Sequence, residues 1–327
     1  MSLPGFQLLR PRTLDEAVAL MAKHAGELKI IAGGTDLLPS MKQKLFAPPY
    51  VLDLRRISEL RGIRSVPGHG VEIGALTTLS AIEHSPIIRK DYPVLFEAVK
   101  TVASPVLRNM GTLGGNICLD TRCLWYNQSL LWRKSCGFCL KKDSDLCHVA
   151  PGGNFCWATF SGDTPPALLC LGAELEIAGP DGVRRTPLSE FYVNDGIVRL
   201  HLASSEIVTR VHLSESAAGW HGSYQKLRVR GSIDYPLAGV AVALKMSSGR
   251  VADARVAITA VNPAPHLVKD ADAQLIGMRP DGELAGRIGD LAASTAKPLT
   301  TSALTPEYRR EMVRVFAKRA VLQAATN

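Results

Sequence analysis

Short apolar runs separated by small polar turns fill the first two-thirds of the chain, with helical periodicity appearing only in brief stretches. Leu14, Val18, Leu20 and Met21 recur at helical spacing in LDEAVALMAKH and predict an amphipathic helix. Thr13 stands at its N-cap with Glu16 three residues on, a capping-box pattern. Lys23 and His24, just before Gly26, suit the negative end of that helix. Strands are predicted at 28–31, 50–54, 63–66 and 71–74, a short helix at 80–84, and a helical stretch from 91 to 107, around Pro93 and before Pro105. A helix at 167–171 precedes an alternating strand at 173–177, a Gly-Pro-Asp-Gly turn, a return strand at 183–186 and a further strand at 206–213.

The pattern changes after the Ser/Ala/Gly-rich segment 214–222, which marks a domain boundary and gives units of 1–218 and 219–327. In the second unit YQKLRVRGSIDYPLAGVAVALKM carries two alternations, followed by a strand at 255–261 and helices at 282–296 and 306–322. Pro306 and Glu307 open the last helix, where a missing N–H and a negative charge both belong. The fold class expected is α+β, without internal repeats.

Composition narrows the function classes. The 327 residues are 46% hydrophobic and 21% charged, as in ordinary globular proteins with real cores. No apolar run is long enough to cross a bilayer and the N-terminus lacks a signal-like stretch, so a cytoplasmic location is expected. The net charge of +8 is scattered rather than gathered into an aromatic-interleaved stripe, which argues against nucleic-acid binding. No G-x-S-x-G context and no motif-placed histidine mark a nucleophile or base, so no catalytic residue is assigned. The chain reads as a carrier of electrons.

Two glycine-rich turns change the picture. Ala32-Gly33-Gly34-Thr35-Asp36-Leu37 follows the strand at 28–31, and Gly111-Thr112-Leu113-Gly114-Gly115-Asn116 follows the helical stretch. Neither has Walker A or dinucleotide-fingerprint spacing. Adjacent glycines allow close backbone approach, and successive N–H groups form an anion nest. Two such turns predict one extended, phosphate-bearing cofactor held mainly by backbone.

Six of the seven cysteines fall within residues 118–156, in a polar, poorly periodic stretch that apolar burial alone would not hold. Their gaps read C-x4-C-x12-C-x2-C-x7-C-x8-C. Clustered thiols in a cytoplasmic chain point to metal rather than disulfides. Only Cys136 and Cys139 form the close pair that structural zinc favours, so dispersed thiolates around a [4Fe-4S] cluster are the better reading, with zinc as the alternative. Cys118 adjoins the second glycine turn, and Cys170 in ALLCLGA reads as a core residue. Spacing does not separate Cys136 from Cys139, and His148 beside Cys147 is an alternative ligand.

These stretches, with Ser161-Gly162-Asp163-Thr164-Pro165-Pro166, Lys226-Leu227-Arg228-Val229-Arg230 and Asp234-Tyr235-Pro236, resemble the FAD-binding medium subunits of the molybdenum hydroxylases, the xanthine oxidase and carbon monoxide dehydrogenase family. That resemblance implies a two-part FAD-binding domain of the PCMH/VAO-like type followed by a smaller α+β domain. It implies that Lys29, Ile30, Ile31, Ala32, Gly33, Gly34, Thr35 and Asp36, with Gly111, Thr112, Leu113, Gly114 and Gly115, hold the FAD diphosphate. By the same resemblance Thr77 lines that region, Asp163 meets ribose or adenosine hydroxyls, and Lys226 approaches the flavin.

Most medium subunits make only a short link between the second glycine turn and Asp163, whereas here a cysteine-bearing insert spans about 118–158. In this it is similar to the beta subunits of 4-hydroxybenzoyl-CoA reductases, which implies Cys123, Cys139, Cys147 and Cys156 as the cluster ligands. The implied partners are a molybdenum-cofactor large subunit and a small subunit with two [2Fe-2S] clusters, in a dimer of heterotrimers. Ferredoxin is the implied donor. A medium subunit serving another aromatic heterocycle or acyl thioester, and a zinc-stabilised scaffold protein, are the competing expectations.

Overall fold

The computed structural model describes residues 2–326 and builds three sheets. The first is parallel, with strand order Gln7–Leu9, Tyr50–Asp53, Leu28–Ile31. Its crossover helix Leu14–Lys23 buries Ala17 and Met21 against Leu52 and Leu54. Thr13 caps that helix by accepting from the Glu16 N–H at 3.2 Å, while the Glu16 carboxylate reaches back one residue further, to the Arg12 N–H at 2.7 Å. The middle strand must satisfy both neighbours and is the most buried of the three. The first glycine turn leaves the sheet at the carboxyl end of Leu28–Ile31, the end at which ligands commonly sit in parallel sheets.

The second sheet is antiparallel, in the order Ile63–Val66, Gly70–Gly74, Ile207–Leu213, Glu174–Gly179, Gly182–Pro187. The third, also antiparallel, runs His266–Leu267, Arg250–Thr259, Ala238–Ser247, His221–Leu227. Its continuous apolar run is explained by burial on both faces. Val240, Val242, Leu244, Val256 and Ile258 pack towards the helices Gly282–Thr295 and Pro306–Thr326. The alternate residues Ala241, Ala243 and Ala257 join the core that contains the helices Pro93–Lys100 and Thr164–Cys170. Alanine on that face lets the helices approach closely. A Cβ on Gly222 would meet the Val94 backbone at 2.5 Å.

The helical stretch predicted from 91 to 107 is three pieces. One helix ends at Asp91, Pro93–Lys100 follows, and Pro105–Arg108 starts anew after Ala103 turns left-handed at φ 45°. Ser104 restarts the helix by accepting from the Leu107 N–H at 3.3 Å. Each proline lacks the donor needed to continue a helix but fits a first turn.

Arg309 anchors the long C-terminal helix. It is fully buried and donates to the carbonyls of Leu237, Leu299 and Ala260. Burial brings its guanidinium down to about 10. Replacing it with Met should strand three buried acceptors and lower stability by about 3 kcal/mol, read as a drop in the denaturation midpoint. Among the described residues no helix is long and apolar enough to cross a membrane.

Candidate functional site

The two glycine turns lie against each other. A Cβ on Gly33 would sit 1.9 Å from the Met110 carbonyl oxygen, so only glycine permits this contact. A Cβ on Gly111 would lie 3.7 Å from the Thr35 hydroxyl, and one on Gly114 would meet Ala75 at 2.9 Å. Gly34 adopts φ 74°, a left-handed conformation that turns the chain out of its strand.

The N–H groups of the second turn are largely taken by the chain itself. Thr112 accepts from the Gly115 N–H at 3.1 Å, and Gly114 N–H donates to Ala75 at 2.9 Å. In the first turn, among the described residues, no chain acceptor takes the N–H groups of Gly33, Gly34 or Thr35. Available donors at a tight glycine turn form the concave cationic surface that a diphosphate fits. The donor chemistry and the bare backbone cradle therefore suit FAD.

Charged and aromatic groups brace this cradle. The Asp36 carboxylate accepts from Arg122 at 2.8 Å and from the Tyr235 hydroxyl at 3.1 Å. The Arg122 guanidinium lies 3.8 Å from the Tyr235 ring centre, so the first turn, the base of the insert and the 228–235 loop share one junction. Thr77 is buried and both donates to and accepts from the backbone of Gly62. Asp163 is buried and held by the Tyr224 hydroxyl at 2.8 Å and by Lys226 at 2.9 Å; Lys226 also donates to the Thr101 carbonyl. Burial and the adjacent Asp163 carboxylate push the Tyr224 phenol well above its ordinary range, which keeps it a donor. Lys29 sits over the Phe46 ring at 4.8 Å.

The insert folds as a compact lobe rather than a loose loop. Cys123, Cys139, Cys147 and Cys156 are all buried and free, and all four line one cavity with Trp125, Tyr126, Lys141, His148 and Trp157. Cys136 is outside that lining, at the C-terminal end of the helix Leu130–Ser135. Gly137 and Phe138, both left-handed at φ 77° and 62°, separate it from Cys139. His148 stacks on Trp125 at 4.3 Å and contacts the Phe138 carbonyl through Nε2 at 2.5 Å. Cys118 packs beside the main core, and Cys170 is fully buried within it.

Burial pushes the Cys123 thiol up to about 12, with the other three thiols adding to the rise. Burial also raises Cys156, against the pull of nearby Lys141. Buried thiols ionise more readily beside positive charge, and the Lys141 ammonium supplies one such charge at this cavity. Among the described residues no three His, Cys, Asp or Glu side chains close on a single-ion position. A lone zinc would draw four sulfurs to about 2.3 Å from one point. Four free thiols on one lining are a donor set that thiolate-bound zinc and iron-sulfur groups share.

Residues that sequence reasoning left unassigned complete the lobe. Lys141 donates to Asp120 at 2.9 Å, to the Thr121 hydroxyl and carbonyl, and to the Gly196 carbonyl. Asp120 also accepts from Tyr126, and Arg199 stands 3.7 Å away. Burial works to raise the Asp120 carboxyl, but Lys141 and Arg199 prevail and hold it below the ordinary range. Arg133, with 1% of its side chain exposed, donates to the carbonyls of Gln128 and Lys44 and ties the lobe to the end of the first glycine-turn helix. Polar residues in an irregular stretch carry no periodic signal of burial, so only the departure from a short link pointed to them.

Known proteins align with nearly the whole chain. Residues 4–215 match the FAD binding domain in molybdopterin dehydrogenase, and residues 222–324 match the CO dehydrogenase flavoprotein C-terminal domain. The carbon monoxide dehydrogenase medium chain of Hydrogenophaga pseudoflava is 30% identical over 97% of this chain and 96% of that one. The nicotine 6-hydroxylase medium subunit of Paenarthrobacter nicotinovorans is 28% identical over 99% of both chains. The solved structure of reconstituted CO dehydrogenase from Oligotropha carboxidovorans superposes with a TM-score of 0.83 at 29% identity, covering 100% of this chain and 99% of that one. The chain thus carries an FAD-binding domain over residues 4–215 and belongs to the family of FAD-binding medium subunits of the molybdenum hydroxylases.

Proposed function

We propose that this chain is the electron-transfer subunit of a 4-hydroxybenzoyl-CoA reductase, carrying FAD between its glycine turns and a [4Fe-4S] cluster in its insert. The observation that carries this reading is the convergence of Cys123, Cys139, Cys147 and Cys156 on one buried cavity. Those four sulfurs would hold the cluster, and the Gly33–Thr35 donors would hold the FAD diphosphate. When bound, the two groups supply one-electron and two-electron exchange respectively. Asp163, its carboxylate oriented by Tyr224 and Lys226, would meet the ribose hydroxyls.

The chain's own residues seal and couple the two sites. Arg122 directly precedes the ligand Cys123 and also pairs with Asp36 at the flavin turn, so a single residue step joins the two sites mechanically. Trp125, Tyr126 and Trp157 form the aromatic part of the cysteine cavity's lining. The outer face of the insert leaves Leu131 and Trp132 exposed, a surface suited to a ferredoxin-type donor. Electrons would pass onward to a small subunit with [2Fe-2S] centres and to a molybdenum subunit, where two electrons and two protons remove the ring hydroxyl as water. A dimer of such heterotrimers is the assembly proposed.

A second reading keeps the cofactors and changes the partner's substrate. It draws on relatives named for substrates as different as carbon monoxide and nicotine. One measurement set separates the possibilities. The native complex should contain one FAD and four additional iron and sulfide per copy of this chain beyond those of its [2Fe-2S] centres. It should dehydroxylate 4-hydroxybenzoyl-CoA with reduced ferredoxin. Full iron content with turnover only of another substrate selects the second reading; zinc without the additional sulfide overturns the cluster assignment.

A further inference from the structure

We propose that Lys141 sets the reduction potential of the group held by the four cysteines, with Asp120 as its counterweight. The inference deepens the proposed function and rests on it. Lys141 lines the same cavity as Cys123, Cys139, Cys147 and Cys156, and only 7% of its side chain is exposed. Its ammonium is held in place: it donates to Asp120, Thr121 and Gly196 and sits 4.6 Å from the Tyr126 ring centre. A charge so fixed, away from water, acts on its neighbours through a low effective dielectric.

The balance of charge gives the sign. Lys29, Lys141 and Arg199 stand against two carboxylates, Asp120 and Asp195, and leave one unit of positive charge beside the cavity. Uptake of one electron there adds one unit of negative charge and makes or breaks no bond. The buried excess cation favours the reduced form and raises the potential; cluster potentials respond in this way to local charge and burial. Asp120 opposes it.

Position gives the role. The chain runs from the second glycine turn through the helix Leu113–Ile117 to Asp120 and Cys123, and Arg199 donates to the carbonyls of Cys118 and Leu119 along that path. The charged group thus lies on the chain segment that joins the flavin cradle to the cysteine cavity. It is placed to bias how readily the insert gives up an electron.

The test uses the purified complex of wild type, Lys141→Gln and Asp120→Asn. Iron and sulfide are measured first, followed by a dithionite titration with redox mediators, monitored by EPR. The relevant signal is the one that Cys147→Ser abolishes. Lys141→Gln should lower the midpoint by at least about tenfold in the reduction equilibrium, or about 59 mV for one electron. Asp120→Asn, nearly isosteric, should raise it. A merely structural lysine would not produce shifts of opposite sign. Unmoved midpoints, or two shifts in the same direction with iron content intact, overturn the proposal. If Lys141→Gln loses its iron, Asp120→Asn decides: a rise supports the proposal and no rise ends it. A wild-type complex without the four additional irons overturns the proposed function itself, and this inference with it.

Discussion

With the proposed cluster in the insert, Cys147→Ser is expected to abolish its EPR signal and remove four iron and four sulfide equivalents, while most FAD stays bound. Cys147 is buried on the cavity lining and has no disulfide partner, so its sulfur has no structural bond to lose. A serine hydroxyl is a poorer ligand to iron than a thiolate, and a cubane with one corner unheld is open to solvent and oxidant. The flavin should survive because its cradle is built elsewhere. Gly33 and Gly34 rest on Met110 and on their own strand, and Gly114 on Ala75; none touches the insert's interior. The expected readout is lost iron with absorbance near 450 nm largely retained. Equal loss of both cofactors would mean that the lobe organises the flavin site, with the Arg122–Asp36 pair as the connecting strut.

Cys136→Ser is the matched comparison and should leave iron content unchanged. Spacing offers nothing to separate Cys136 from Cys139, since they are three residues apart and chemically alike. What separates them is the turn between. The helix Leu130–Ser135 ends at Cys136, whose N–H bonds back to Trp132, and two left-handed residues then reverse the chain and carry Cys139 into the cavity. Gly137 advertises such a turn in the sequence. Phe138 does not, because a bulky residue at positive φ is tolerated only where its surroundings hold it. Its N–H donates to the Arg133 carbonyl at 2.8 Å, and its ring lies 6.0 Å from the Arg133 guanidinium.

The same contrast runs through the rest of the chain. Glycine pairs, caps, prolines and the uninterrupted apolar run at 238–244 are local signals, and the structure uses each where local chemistry would place it. The continuity between 91 and 107 was misleading because apolar periodicity carries across Pro93 and Pro105 although the backbone does not. Buried charge was the least legible. Arg133, Lys141 and Arg309 look like solvated surface in the sequence, and each becomes an anchor only when distant carbonyls converge on it. Those acceptors lie 89, 55 and 49 residues away, beyond the reach of any window of periodicity.

Gly33→Ala should damage the flavin cradle severely. The added carbon would fall 1.9 Å from the Met110 carbonyl oxygen and 2.6 Å from its carbon, and both are backbone atoms that cannot rotate aside. Relief requires the two glycine turns to part. Parting them moves the Gly33–Thr35 donors relative to Thr112 and Gly114, so the cradle loses its shape even where the rest of the fold holds. FAD retention should fall at least about tenfold, equivalent to about 1.4 kcal/mol in binding, with the denaturation midpoint lowered as well. Gly153→Ala supplies the control: its Cβ would lie 3.5 Å from the nearest atom, the Ala150 carbonyl oxygen, an ordinary contact, and flavin content should be unchanged. Flavin released by acid from equal amounts of each purified variant measures the difference. Wild-type FAD content in Gly33→Ala would mean that the two turns do not act as one jaw, and the diphosphate would then have to be held by one of them alone.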